Sequence, residues 1–156
     1  MQVRPAAPGD LSAVQAIYAH HVLHGLATFE EAAPDVEEMR RRHDEVTSRG
    51  LPWLAADFGG IVAGYAYCAL YRTRSAYRYT VEDSVYVRED YQGRGVGAAL
   101  LDVLIERCTA LGMRAVADDG FLRVGTLRSV GFKFGRWVDS VLMQKPLGPG
   151  DASRPS

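Results

Sequence analysis

The sequence predicts an α/β (α+β) fold in which a mixed, mostly antiparallel central sheet is flanked by helices. Apolar residues recur at helical spacing in two early segments and again after residue 95. Short apolar and aromatic runs lie between these segments, and two of them flank the tight turn Phe58-Gly59-Gly60. The strand that ends at Val87 leads into a glycine-rich turn and a helix, which predicts a ligand cleft near 87–97.

The N-terminal half contains two predicted helices after a short strand at Gln2 to Arg4. The first spans Asp10 to Gly25, where Leu11, Val14, Ile17 and Val22 have helical spacing. The second begins at Asp35, because Asp35 and Glu38 have the spacing of a capping box, and it runs to Gly50.

The remaining elements are mostly strands, with one long helix after the glycine-rich turn. In the strand from Tyr79 to Val87, odd-numbered and even-numbered side chains should face opposite sides of the sheet. The helix has a broad apolar stripe and runs from Val96 to Leu111. Strands are predicted at Trp53 to Asp57, Ile61 to Leu70, Tyr79 to Val87, Arg114 to Ala117, Phe121 to Leu127 and Val138 to Lys145.

Length and composition predict a single domain over 1–147 and a disordered Gly-, Pro- and Ser-rich tail over 148–156. Lys and Arg number 18 against 19 Asp and Glu, so no charge excess indicates a nucleic-acid or membrane partner. Neither a membrane span nor a secretory leader is expected, which makes the cytoplasm the expected location. His20 and His24 lack further ligands at recognisable spacing, so no metal is expected.

The turn from Gln92 to Gly97 carries the first functional signal. Glycines allow close approach to an anion, and the first amides of the following helix are unpaired donors at the positive end of its dipole. A diphosphate fits such a site, and Arg94 can add charge. A tight turn that needs glycine for its shape alone is the alternative, and the motif is not a Walker P-loop because no Gly-Lys-Ser/Thr follows.

The run from Asp83 to Leu101, through its Gln-x-x-Gly-x-Gly-type turn, resembles the signature of the GNAT superfamily of N-acetyltransferases. Further segments resemble the phosphinothricin and methionine sulfoximine acetyltransferase family: Ala16 to Tyr18, Ala27 to Glu30, Tyr77 to Val87 and Gly131 to Trp137. The resemblance covers Val3 to Leu147. It implies a GNAT-like fold, acetyl-coenzyme A as co-substrate, a small amino acid or analogue as acceptor, and a homodimer.

An acceptor α-amino group is largely protonated at neutral pH, so a base that removes a proton is useful. The resemblance places the catalytic glutamate at Glu82, whereas a structural carboxylate paired with an arginine is the alternative. Backbone amides of the 85–87 stretch are candidate oxyanion donors if the strand is splayed. The implied cofactor contacts are Val85, Tyr86, Val87, Gln92, Gly93, Arg94, Gly95, Val96, Gly97 and Ala98.

The implied acceptor carries oxygens as well as an amine, and arginine forks match carboxylate, phosphinate and sulfone groups. The resemblance favours Arg72, Arg74 and Tyr77 as substrate contacts, with Phe29 in the pocket wall. A solvated basic loop is the alternative interpretation of the arginines.

The sequence departs from the family pattern at Asp118-Asp119-Gly120. Family members carry a further helix here, which packs along the pantetheine arm of the cofactor, and three residues cannot form it. Either this wall of the site is lost, or the natural polypeptide contains a stretch that this sequence omits; the undamaged flanks favour the second. Two other functions stay open: an acyl-coenzyme A-binding module without turnover, and a protein or peptide N-acetyltransferase.

Overall fold

The structure, a computed structural model, describes residues 1–154, and within them the side chains of 118–121 lie outside the description. Three helices accompany six strands. The helices are α1 (Leu11–His24), α2 (Val36–Ser48) and α3 (Val96–Ala110). The strands are β1 (Gln2–Pro5), β2 (Trp53–Phe58), β3 (Ile61–Leu70), β4 (Thr80–Val87), β5 (Ala115–Lys133) and β6 (Arg136–Pro146).

The six strands form one sheet in the order β1-β2-β3-β4-β5-β6. All neighbours are antiparallel except β4 and β5, which are parallel. Parallel neighbours need a crossover connection, and α3 supplies it here. The prediction of a mostly antiparallel sheet flanked by helices is confirmed.

The helices lie on both faces of the sheet. On one face, Tyr18 of α1 makes an edge contact with Tyr86 of β4, and His43 of α2 makes one with Trp53 of β2. On the other face, α3 packs so closely on Gly64 that a Cβ there would lie 3.1 Å from Val96 Cγ1. Larger residues at 64 would therefore push α3 off the sheet.

Local signals placed several element ends correctly. Gly59 and Gly60 of the β2–β3 turn have φ angles of +62° and +92°, which favour glycine. The Asp35 carboxylate accepts a 2.8 Å hydrogen bond from the Glu38 amide and caps α2 as predicted. Among the described residues, no helix is long and apolar enough to span a bilayer.

The region after α3 differs from the prediction. The two strands predicted at 114–117 and 121–127 form the single strand β5, because both pair with β6. Ala117 and Leu122 both have Gln144 as their partner, and the register shifts between them. The predicted three-residue link 118–120 falls where side chains lie outside the description.

Residues that follow β6 contact the start of β5. The Arg114 guanidinium donates to the Ser153 hydroxyl at 3.2 Å and to the Arg154 carbonyl at 3.1 Å. Leu147 is buried. The division into a domain over 1–147 and a disordered tail stays a prediction; its last two residues lie outside the described range.

Candidate active site

Strand β4 separates from β5 partway along its length. Its register with β3 continues to Val87, which pairs with Gly64. Its register with β5 covers only Thr80, Val81 and Glu82. In the part of the chain that the structure describes, the β5-facing edge of β4 therefore has no strand partner after Glu82.

The phase of the β3–β4 hydrogen bonds determines which amides face this open edge. The Arg88 amide donates to the Ala63 carbonyl at 2.9 Å, so even-numbered residues near it bond toward β3. Because successive amides in a strand alternate in direction, the N–H groups of Val85 and Val87 point toward the opening. Backbone donors in a cleft of this kind can stabilise an oxyanion or bind an amide-containing chain.

Tyr86 differs from its two neighbours in the predicted cofactor set. Its ring is buried in an aromatic cluster, stacked at 5.3 Å on Tyr65 and in edge contact with Tyr18 at 5.0 Å. Its backbone N–H points toward β3, like those of the other even-numbered residues near the end of β4. Val85 and Val87 are thus the members of the trio whose backbone donors face the opening.

The glycine-rich turn follows the open edge and leads into α3. Gly93 and Gly95 have φ angles of +70° and +77°, so the backbone conformation itself favours glycine. Gly97 lies within α3, and a Cβ there would make only an ordinary 3.5 Å contact with Val87 Cγ2. The backbone conformation therefore favours glycine at 93 and 95 but not at 97.

The turn is exposed and carries one arginine. The Arg94 guanidinium lies 5.0 Å from the Tyr91 ring centroid, a cation–π distance. The Gln92 amide nitrogen lies 3.4 Å from the Val87 carbonyl, which connects the turn to the end of β4. The first amides of α3 and the Arg94 charge together can bind a diphosphate.

Glu82 lies where the opening between β4 and β5 begins. Its side chain is 44% exposed and faces the side of the sheet that carries α1 and α2. Asp83, which is 5% exposed, pairs with Cys68 on β3 and lies on the α3 side. Burial raises the pKa of the Glu82 carboxyl above its ordinary value, and Arg72, 3.9 Å away, partly offsets this rise.

A cavity of about 330 Å³ contains Glu82. Tyr71 and Tyr77, in edge contact at 5.6 Å, line one side, and β5 and β6 line the other. Its lining residues are Tyr71, Tyr77, Thr80, Glu82, Ala117, Val124, Ser140, Leu142, Met143 and Gln144. A carboxylate beside aromatic walls suits proton transfer on a small polar molecule.

The four predicted substrate contacts are distributed unevenly around this cavity. Arg72 lies at its edge, with the guanidinium 4.1 Å from the Tyr71 ring centroid, and Tyr77 lines it. Arg74 is exposed just before the 3-10 turn Ser75–Tyr77. Phe29 lies on the loop between α1 and α2, against Gly131 of β5, and does not line the cavity.

Sequence reasoning missed the contribution of β6 to this cavity. Ser140, Leu142 and Gln144 have no local motif, and they reach the site because β6 pairs with β5 and β5 pairs with β4. Only the alternation of β6 could have indicated which of its side chains share one face.

A larger cavity, of about 490 Å³, lies between α1 and residues 87–90. His20 lines it and lies 3.8 Å from the Glu89 carboxylate. Within the described residues, no group of three or more His, Cys, Asp or Glu side chains could hold a metal ion. The cavity with Glu82 lies where β4 separates from β5, and Arg72 lies 3.9 Å from its carboxylate, so it is the better candidate active site.

Comparison with known proteins identifies the family of this chain. Residues 16–132 match the acetyltransferase (GNAT) family. A phosphinothricin N-acetyltransferase from Alcaligenes faecalis is 49% identical, over 98% of this chain and 86% of that protein. An L-methionine sulfoximine/L-methionine sulfone acetyltransferase from Salmonella typhimurium is 35% identical, over 94% of this chain and 95% of that protein.

A solved structure shows the same similarity in three dimensions. The crystal structure of a GNAT superfamily phosphinothricin acetyltransferase from Sinorhizobium meliloti, in complex with acetyl-coenzyme A, superposes with a TM-score of 0.96. It is 41% identical, and the match covers 99% of this chain and 92% of that one.

The alignment lengths show a difference between this chain and its relatives. The alignments with the Alcaligenes and Salmonella proteins extend over 171 and 162 residues, more than the 156 residues of the whole chain. Both relatives therefore contain residues that have no counterpart here.

Proposed function

The chain belongs to the GNAT family of acetyltransferases, and we propose that it transfers an acetyl group from acetyl-coenzyme A to the α-amino group of a small amino acid or analogue. The acceptor type that we propose is phosphinothricin, methionine sulfoximine or methionine sulfone, as in the names of its relatives. One observation carries this proposal: Glu82 lies in a 330 Å³ cavity at the point where β4 separates from β5.

The glycine-rich turn and the first turn of α3 are the proposed site for the cofactor pyrophosphate. Gly93 and Gly95 give the turn its shape, the amides of Val96 to Ala98 donate hydrogen bonds, and Arg94 adds a positive charge. Gln92 supports the end of β4. The open edge of β4 lies next to this turn, so the thioester arm can lie along it and reach Glu82.

In the proposed reaction, the Glu82 carboxylate accepts one proton from the ammonium group of the acceptor. The free amine then attacks the thioester carbonyl carbon, and a tetrahedral oxyanion forms. The N–H groups of Val85 and Val87 face the opening and stabilise this oxyanion. When the C–S bond breaks, the C–N bond remains, the attached nitrogen gives up its second proton, and the leaving thiolate takes up a proton to become the coenzyme A thiol.

Arg72, Arg74 and Tyr77 are the proposed contacts for the acceptor oxygens, and Phe29 is the proposed outer wall. A sulfone, a sulfoximine and a phosphinate all present tetrahedral oxygens, which the fork of an arginine can bind in the same way. The rings of Tyr71 and Tyr77 can pack against the aliphatic part of the acceptor.

A homodimer working in the cytoplasm is the proposed state of the protein, with no metal in the reaction. Large apolar side chains at the tip of the β5–β6 hairpin support self-association: Phe132, Phe134 and Trp137 are more than half exposed. Sedimentation measurements should give twice the chain mass. A monomer at micromolar concentration would contradict the homodimer.

An acetyl-transfer assay with free thiol as the readout tests the function. Methionine sulfoximine, methionine sulfone and phosphinothricin should release thiol from acetyl-coenzyme A, and peptides should not. Cofactor binding without thiol release from any amine would instead indicate an acyl-coenzyme A-binding module. Faster release with peptides would indicate a protein N-acetyltransferase.

A further inference from the structure

The loop between α1 and α2, residues 25–35, is fixed to the helices on one side. The Tyr18 hydroxyl donates to the Glu30 carboxylate at 2.9 Å and lies 3.0 Å from the Thr28 hydroxyl. Arg42 of α2 donates to the same Glu30 carboxylate at 2.8 Å. Charged and neutral hydrogen bonds thus hold the middle of the loop to α1 and α2.

A buried lysine holds the same loop to the β5–β6 hairpin. Lys133, near the end of β5, is only 2% exposed, although lysine is almost never fully buried without a partner. Its ammonium group donates a 2.8 Å hydrogen bond to the Thr28 carbonyl and lies 5.1 Å from the Phe134 ring centroid. Burial of this charge costs free energy, which an apolar side chain that only fills space here would not cost.

Gly131 makes a second contact between the hairpin and the loop. A Cβ at this position would lie 2.7–2.9 Å from three ring carbons of Phe29, closer than real Cβ atoms approach. Its φ angle is outside the positive range, so space and not backbone conformation requires glycine here. The absence of a side chain lets the Phe29 ring lie directly on β5.

The two contacts place Phe29 next to the cavity that contains Glu82. Gly131 pairs with Val138 of β6, and Val138 lies on the same strand face as Ser140, which lines the cavity. Two residues along a strand span about 7 Å, so the Phe29 ring lies roughly one side chain beyond the cavity wall.

We propose that Lys133 and Gly131 are positioning residues that hold Thr28 and Phe29 over the outer end of the acceptor site, and so set the affinity for small amino-acid acceptors. This inference rests on the proposed function for the identity of the acceptor. Neither residue touches the reacting atoms, so their effect should be on acceptor binding and not on the chemical step.

Lys133→Met removes the ammonium group and keeps an unbranched apolar side chain. Hydrogen exchange of the amides in 26–34 should become at least about tenfold faster, because a charge-assisted bond is lost. KM for methionine sulfone should rise about tenfold, with kcat and the KM for acetyl-coenzyme A within about twofold. Lys133→Arg keeps a positive charge, so its loop exchange rate and its KM for methionine sulfone should lie between those of the unaltered protein and Lys133→Met. Arg136→Met, an exposed cation on the same hairpin, is the matched control and should change neither.

Gly131→Ala tests the second contact without removing a buried charge. The half-exposed Phe29 ring can rotate away, so the variant should fold, and KM for methionine sulfone should rise as in Lys133→Met. Gly9→Ala is the control, since a Cβ there would meet nothing within 4 Å and its φ angle is outside the positive range. If Lys133→Met fails to fold, the KM for methionine sulfone of Lys133→Arg and of Gly131→Ala tests the inference instead.

Unchanged loop exchange in Lys133→Met, or an unchanged acceptor KM in Gly131→Ala, would overturn the inference. So would an equal rise in KM for both substrates, since that indicates general loss of structure. If the unaltered protein transfers no acetyl group although Lys133→Met speeds hydrogen exchange in the loop, the proposed function is wrong. The positioning of the loop by Lys133 is then still supported.

Discussion

At the scale of single residues, the environment of Glu82 decides its chemistry. A carboxylate at the mouth of a cavity loses part of its hydration, which raises the pKa of Glu82, while Arg72 acts in the opposite direction. Its raised pKa makes the Glu82 carboxylate a stronger base than an ordinary glutamate side chain. Proton removal from an ammonium group requires such a base.

Replacing Glu82 with Gln keeps the shape of the side chain and removes the base. The turnover number should fall by about 10²-fold or more, because general-base catalysis contributes on that order. The Kd for acetyl-coenzyme A should not change, since the turn that we propose for the pyrophosphate is separate from Glu82. Glu37→Gln, on the exposed face of α2, is the control. If Glu82→Gln lowered turnover and cofactor affinity equally, Glu82 would not be the general base.

The Arg72–Glu82 pair gives a prediction for the pH dependence of turnover. Arg72 lowers the pKa of Glu82, so Arg72→Gln should raise that pKa further. The base must be unprotonated, so the acid limb of the kcat profile should move to higher pH. The measurement needs saturating acceptor and low salt, because the pair is exposed and screened. Arg78→Gln is the control, and an acid limb that stays in place or moves to lower pH would contradict the coupling.

At the scale of elements, an ionic cluster attaches β1 to its neighbours. The Arg4 guanidinium donates to the Asp10 carboxylate at 2.6 Å and to the Asp57 carboxylate at 2.9 Å. Asp10 precedes α1 and Asp57 belongs to β2, so one side chain connects three elements. The hydrogen bond from Arg4 lowers the pKa of Asp10.

Arg4→Met should lower the free energy of unfolding by about 1–2 kcal/mol at pH 7, since partly exposed charge-assisted bonds are lost. Because the folded-state pKa of Asp10 is depressed, this stabilisation is complete above the ordinary aspartate pKa. It is lost as the pH falls through the lowered value. Urea titrations of both proteins at neutral and acidic pH should therefore converge in acid. Arg41→Met, on an exposed i,i+3 pair, should have a smaller effect; a difference that persists in acid would refute this account.

At the scale of the whole molecule, this chain is shorter than its relatives within the aligned region. Relatives contain residues that have no counterpart here. The resemblance predicts that these form a helix along the pantetheine arm, at 118–120. Its absence would leave the pyrophosphate end of the site intact and remove contacts from the middle of the cofactor.

A chimera tests what that missing segment contributes. The segment that joins the corresponding strands of the Alcaligenes faecalis relative would replace 118–121. Acetyl-coenzyme A should then bind about tenfold more tightly, equal to about 1.4 kcal/mol, because apolar contacts to the arm return. An insertion of Gly and Ser of equal length is the control, and equal affinity of chimera and control would contradict the role of the helix.

Intact mass distinguishes a lost helix from an omitted stretch. The 156 residues have a mass of 17.1 kDa. A polypeptide isolated from its natural source should be heavier if the undamaged flanks of 118–120 reflect an omitted stretch. A measured 17.1 kDa would instead show that the helix has been lost.

The sequence by itself determined the three helices, most of the strands and the glycine-rich turn, because their signals are local. Gly93 and Gly95 adopt φ angles that favour glycine, Asp35 caps the helix that it was predicted to cap, and strand alternation places Glu82 and Asp83 on opposite faces. Local periodicity and local backbone preference need no knowledge of distant residues.

Only the tertiary structure decided where β4 separates from β5, which β6 side chains join Glu82, and that Phe29 lies on Gly131. Each of these depends on contacts between residues far apart in the chain. No local propensity encodes such contacts, since sheet order and register arise from the packing of the whole core.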